Sequence, residues 1–217
     1  MPPIRRGVLA VAAVALLFGI AACSGEGPRE LTVTEFGFPW SEKPSPRTVF
    51  RTRTDGDLLR FAFEVDDDDV VVSDAWDGES TVDGEDRVEI FFARDADLAD
   101  YWCIEIDPLG RVHDYHARHY RVFDADWDCP GLKAEGSSTP TGYAVRGSIP
   151  LATLAELMGR PIGRGSELRV GLFRAEFRGE GPEARGEADD NWISWARPAV
   201  EKPDFHVPEA FRTIVVP

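Results

Sequence analysis

Two stretches decide the fold: Arg87-Val88-Glu89-Ile90-Phe91-Phe92 and Ile104-Glu105-Ile106-Asp107. In the first, Val88, Ile90 and Phe92 share one face and Arg87, Glu89 and Phe91 the other. In the second, Ile104 and Ile106 stand opposite Glu105 and Asp107. A period of two marks a strand with one face in a core and the other face available. With the apolar sets inward, Glu89 and Glu105 stand on the outer face. If the two strands are neighbours, the carboxylates meet. Taken alone, the same spacing also fits ordinary surface carboxylates on a solvated sheet.

The pattern recurs on both sides of this pair. Leu59 to Val65, Tyr143 to Ile149, Val170 to Phe177 and Thr213 to Val216 read as strands, and Asp55-Gly56, Asp77-Gly78, Asp83-Gly84, Pro108-Leu109-Gly110 and Thr141-Gly142 read as turns. One helix is expected, over Leu151 to Met158, between Pro150 and Gly159. Many short strands, long loops and one short helix predict an all-β fold, an antiparallel β-sandwich of jelly-roll or immunoglobulin-like type. A parallel sheet would need a helix between most strands, and the spacing leaves no room for them.

The chain has 217 residues, 43% of them hydrophobic, with 39 acidic and 24 basic side chains. That is enough apolar material for a real core and excludes wholesale disorder. Without Arg5 and Arg6 of the leader, 22 basic residues face 39 acidic ones, a net −17. This balance argues against nucleic acid as a partner and against adsorption to anionic lipid. Arg5-Arg6 followed by the apolar run Val8–Ile20 has the form of an export signal, too short to span ~30 Å of hydrocarbon. Ile20-Ala21-Ala22-Cys23 resembles a bacterial lipobox, which implies lipidation at Cys23 after removal of residues 1–22. The expected placement is therefore an exported lipoprotein, held to the membrane by its anchor alone at the periplasmic side or cell surface. Residues 23–44 read as a tether and N-terminal extension, and 45–217 as the sandwich. Cys103 and Cys129, left over in an oxidising compartment, are expected to pair as a disulfide.

Of the six Trp, Trp40, Trp76 and Trp127 sit in acidic, loop-like contexts, whereas Trp192 and Trp195 read as core. Aromatic rings on loops over a polar sheet face suit the apolar faces of sugars. His113, His116 and His119 would alternate between the two faces of a strand, which is poor geometry for one zinc ion. Asp66–Asp69 could offer oxygen to calcium but lacks the spacing of an EF-hand loop. There is no Gly-x-Ser-x-Gly and no phosphate-cradling glycine loop.

Eight blocks in order carry a family resemblance: DDDDV (Asp66 to Val70), EDRVEIFF (Glu85 to Phe92), YWCIEIDPLGRVHDY (Tyr101 to Tyr115), FDADWDCPGLK (Phe123 to Lys133), GYAVRGSIPLATL (Gly142 to Leu154), RVGLFRAEF (Arg169 to Phe177), WISW (Trp192 to Trp195) and PDFHVPEAF (Pro203 to Phe211). The set resembles the family 9-like carbohydrate-binding modules, β-sandwiches of xylan-degrading systems and secreted sugar-binding proteins, over about residues 45 to 217. The resemblance implies a sugar held between two Trp rings and hydrogen-bonded by polar neighbours. Glu89 matches the Glu of the family's Val-Glu-Ile-Phe motif. Where the family has one stacking Trp, this chain has Asp83, with Trp76 upstream. Where it has the second, this chain has Phe205. The family's Arg on the next strand falls on Glu105. The candidate ligand-binding residues are Trp76, Glu89, Glu105, Arg174 and Phe205, Arg174 being the guanidinium that a neighbouring strand would bring beside the carboxylates. The family's structural calcium would draw on the acidic loops.

The expected function is non-catalytic binding of a poly- or oligosaccharide. Two alternatives stand beside it. Related sandwiches hold haem for electron transfer, for which Met158 is the one Met after the leader. Alternatively, Glu89 and Glu105 form the carboxylate pair of a glycoside hydrolase.

Overall fold

The computed structural model describes residues 30–179 and 190–217. The leader and Cys23 lie outside the described residues.

Strands are β1 (Leu31–Val33), β2 (Thr48–Asp55), β3 (Leu58–Asp66), β4 (Arg87–Ala93), β5 (Tyr101–Ile106), β6 (Val112–Arg118), β7 (Val122–Asp124), β8 (Lys133–Thr139), β9 (Gly142–Pro150), β10 (Glu167–Ala175), β11 (Trp192–Ser194) and β12 (Arg212–Val215). The α-helix α1 covers Leu151–Met158. One sheet has the order β1-β2-β3-β9-β8. The other runs β11-β10-β4-β5-β6-β7, with β12 pairing the first half of β10 as β11 pairs the second. All pairings are antiparallel, so the two layers form the expected sandwich. Helix α1 has the predicted bounds, and Gly159 closes it in the left-handed conformation with φ 62°. β1 lies in the stretch read as extension, so the sandwich begins before residue 45.

The core between the sheets follows the alternation. Phe61, Phe63 and Val65 of β3 meet Val88, Ile90 and Phe92 of β4, Ile104 and Ile106 of β5, and Leu168, Val170 and Leu172 of β10. Strands β1, β2, β7, β8 and β11 lie outside the segments that the alternation marks as strands. In β8, Lys-Ala-Glu-Gly-Ser-Ser-Thr has no apolar face, and its place comes from pairing with β9 alone.

The second sheet is covered on its outer face as well. Phe91, Tyr101, Cys103, Tyr115 and Phe173 form a second buried cluster with Phe205, Val207, Ala210 and Phe211 from the C-terminal segment. Every residue of β4 and β5 is therefore buried. This double burial overturns the expected disulfide. Cys103 belongs to the outer cluster and Cys129 to the core between the sheets, so β5 itself separates the two sulfurs, and both thiols are free. Burial pushes both thiols above their ordinary range, that of Cys129 to about 12.

One end of the core is closed by charge rather than by apolar packing. Arg174 is fully buried. It donates to Thr48 Oγ1 at 3.3 Å, to the Asp66 carbonyl at 3.1 Å and to Glu176, and it pairs with Asp67 at 3.3 Å. Truncating it strands two buried carboxylates, so Arg174→Ala should lower the unfolding free energy by about 3–5 kcal/mol, measured by urea denaturation. Unreduced protein unfolded in guanidinium should titrate with thiol reagent at both Cys103 and Cys129, and reductant should leave its melting temperature unchanged.

Candidate functional site

The β4–β5 register sets Glu89 directly opposite Glu105 on the outer face of the second sheet. Arg87 lies two residues before Glu89 on the same face, and β6 adds Tyr115 and His113, which pairs with Glu105. These side chains form the floor of a cleft of about 1140 Å³. Its walls come from Trp192, from Phe123 and Tyr120 around β7, and from the 200–207 segment with Phe205 and His206.

The floor is buried and polar. Glu89 is 2% exposed, Glu105 5% and Arg87 6%. Arg87 Nε lies 3.0 Å from Glu89 Oε1 and 2.5 Å from Glu105 Oε2. Tyr115 donates its hydroxyl to Glu105 Oε1 at 2.8 Å. Burial, and next the charge of Glu105, push the Glu89 carboxyl up to about 8, against the pull of Arg87. The flanking carboxylates hold Arg87 firmly protonated despite its burial.

The aromatic wall is ordered by mutual packing. Phe205 stacks on Phe173 at 4.1 Å and 10°, and Trp192 stands edge-on to Phe205 at 5.8 Å and 85°. The Arg87 guanidinium lies 5.7 Å from the Trp192 ring and 5.9 Å from that of Phe177. At the mouth, His113 meets Asp83 at 2.7 Å, and Asp204 takes hydrogen bonds from Tyr120 at 2.6 Å and Arg121 at 3.1 Å. His206 shares a 3.0 Å hydrogen bond with the Tyr101 hydroxyl. Its burial lowers its pKa to about 3, so the ring is neutral.

Of the five residues singled out, the structure brings Glu89, Glu105 and Phe205 together in the cleft. Arg174 is not with them. It pairs with Val88, not Glu89, and so points between the sheets with Leu172 and Val170. The parity of Val170-Gly171-Leu172-Phe173-Arg174 carried that signal. The guanidinium beside the carboxylates is Arg87, whose shared face with Glu89 was visible in the alternation. Trp76 is also not a cleft residue. It is 45% exposed on its own loop, with the Arg111 guanidinium 5.2 Å from its ring. Trp192, read as core, forms cleft wall instead. Trp195 packs against the inter-sheet core as expected. Tyr115 reaches the floor through the β5–β6 pairing and His206 reaches the wall with the C-terminal segment, placements that no local pattern in the sequence records.

Calcium has no convergent site at Asp66–Asp69 among the described residues. Arg174 already fills the position between Asp67 and Glu176 that a cation would take, and Asp86 accepts from the backbone amides of Val71 and Phe177, both at 2.6 Å. Ligand atoms of Asp83, Glu105 and His113, and of Glu79, Asp114 and Asp128, do converge in threes. Met158, the ligand of the haem alternative, is packed in the core between the sheets.

The second sheet of this β-sandwich thus carries an aromatic cleft over buried carboxylates. No protein-family model and no curated protein matches the chain. Solved structures do share its fold. A protein from Bacteroides uniformis assigned to carbohydrate binding is 18% identical, with a TM-score of 0.59, over 87% of this chain and 85% of that one. Family 9 carbohydrate-binding modules from Caldicellulosiruptor kristjanssonii are also similar. One, solved with glucose, is 20% identical with a TM-score of 0.50, over 85% of this chain and 84% of that one. One solved with cellotriose is 19% identical with a TM-score of 0.52, over 85% and 82%. The chain thus has the fold of the family 9 modules that its sequence blocks resemble.

Buried carboxyls set a pH dependence. Burial raises Glu89 from 4.5 to about 8, Asp86 from 3.8 to about 8, Glu176 from 4.5 to about 7 and Asp114 from 3.8 to about 6. The folded chain therefore holds more protons than the unfolded chain across this window, and stability falls as pH rises through it. Urea midpoints should drop between about pH 5 and pH 8.5, and Glu89→Gln should flatten part of that slope. An unchanged slope in the variant would contradict the Glu89 shift.

Proposed function

We propose that this chain binds a poly- or oligosaccharide in the Glu89–Glu105 cleft without transforming it. The observation that carries the reading is the cleft itself. Two buried carboxyl groups and a buried guanidinium, with Tyr115 beside them, form a polar floor beneath the rings of Trp192, Phe205 and Phe123, on the sandwich that family 9 modules share. Sugars offer hydroxyl donors and acceptors at their edges and apolar C–H faces between them, so carboxylate, guanidinium and ring each have a counterpart. The size of the cleft suits more than one sugar ring. Xylan- or cellulose-type chains are the substrates to try first.

Glu89 and Glu105 act here as hydrogen-bonding floor, not as acid and nucleophile. Both converge on one arginine, and their engagement with it favours holding a ligand over attacking it. The address completes the reading. Lipidated at Cys23 after export, the domain would stand at the cell envelope and meet glycans outside the cytoplasm. Its acidic balance leaves nucleic acid out of its partners and leaves the anchor as its hold on the membrane.

Calorimetry with xylo- and cello-oligosaccharides should show heat for at least one ligand, with micromolar or weaker affinity. Trp192→Ala should weaken it about tenfold, and Trp76→Ala should leave it unchanged. Incubation should release no reducing sugar. Equal loss from both tryptophan variants, or silence across the panel, would refute the site.

A further inference from the structure

The floor of the cleft does not balance its own charge. Two carboxylates face one guanidinium, and one of its terminal nitrogens is engaged elsewhere. Arg87 Nη1 donates to the Asp83 carbonyl at 3.0 Å and reaches the Glu85 carbonyl at 3.4 Å. Arg87 thus meets Glu89 and Glu105 through Nε, which carries a single proton. Arg87 Nε, Glu89 Oε1 and Glu105 Oε2 are all buried, and none makes an aligned hydrogen bond. Tyr115 supplies Glu105 with a donor, whereas Glu89 Oε1 has no aligned hydrogen-bond partner.

The surroundings do not correct the deficit. Asp83 with His113 and Asp204 with Arg121 are pairs already matched at the mouth. The neighbouring Cys103 thiol and Tyr115 hydroxyl are held neutral by burial, as is the His206 ring. Lys202 is exposed at the rim, where water screens it. Trp192, already flanked by a guanidinium, offers a ring face of the kind that attracts cations.

We propose that the cleft is built for a saccharide bearing a primary ammonium, an amino sugar, whose cation supplies the positive charge missing beside Glu89. The inference rests on the saccharide reading of the cleft and adds its ligand class. Without ligand, Glu89 relieves the excess charge by keeping a proton. When an ammonium binds, that proton leaves to solvent, the carboxylate and ammonium pair, and charge and atoms balance. Neutral sugars donate hydrogen bonds to the carboxylates but cancel no charge.

The test is calorimetry near pH 6.5 with glucosamine and its β-1,4 oligomers, their N-acetylated forms, and glucose with cello-oligosaccharides, each in two buffers of different ionisation enthalpy. The expected result is binding about tenfold tighter for the amines than for either neutral series, with proton release that disappears above the titration of Glu89. Glu89→Gln should abolish both the preference for the amines over the neutral series and the proton release. Neutral sugars binding as tightly as the amines, or amines binding without proton release, would overturn the proposal and leave the saccharide reading intact. Silence from every sugar would overturn both. The ligand series on the unaltered protein decides the matter even if the variant does not fold.

Discussion

Glu89 opposite Glu105, with one guanidinium between them, is the constraint around which the outer half of this molecule is arranged. Two carboxylates on adjacent strands repel, and burying them removes the water that would screen them. Arg87 answers part of that cost from the same strand, and Tyr115 answers part from the next strand but one in the β4-β5-β6 order. What remains sits in the cleft as unspent polar capacity beneath the aromatic segment. Floor and wall therefore work together: without Phe205 and Trp192 above it, the floor would be an ordinary solvated sheet face.

The second sheet differs from a simple half-exposed layer because it is packed on both sides. On its inner face it meets the β2–β3–β9 layer, and on its outer face the C-terminal segment from Phe205 to Phe211. Stacking of Phe205 on Phe173 fixes that segment to β10, and β10 is in turn zipped to β4 along seven paired residues, Arg169 to Ala175. The rigidity of the cleft wall thus reaches back to the core. Arg174 serves this arrangement from the opposite face, joining β10 to the ends of β2 and β3 through Thr48 and Asp66.

Much of this was legible in the chain. Alternation at Val88-Glu89-Ile90 and Ile104-Glu105-Ile106 fixes the inward faces and sets both carboxylates outward, because a period of two leaves a strand residue only two faces to choose from, whereas their meeting depends on the β4–β5 pairing that the structure supplies. Pro150 and Gly159 bounded the helix for reasons equally local. The errors share one cause. Strand order brings Arg174 near the carboxylates but its register turns it to the other face, and Cys103 and Cys129 lie on opposite sides of β5. Trp192 lines the cleft although its neighbourhood is apolar, because such a neighbourhood reads alike whether it packs under a sheet or over a cleft.

The sequence by itself determined the sandwich, the single helix and the outer placement of Glu89 and Glu105, since each depends on short-range periodicity and turn chemistry. Only the tertiary structure decided that Arg87 rather than Arg174 stands with them, that Trp192 and not Trp76 overlooks them, and that the two thiols stay apart. Each of these depends on which residues lie opposite one another across strands far apart in the chain. A residue's partner across a sheet is fixed by the register of the whole ladder, and no local pattern records it.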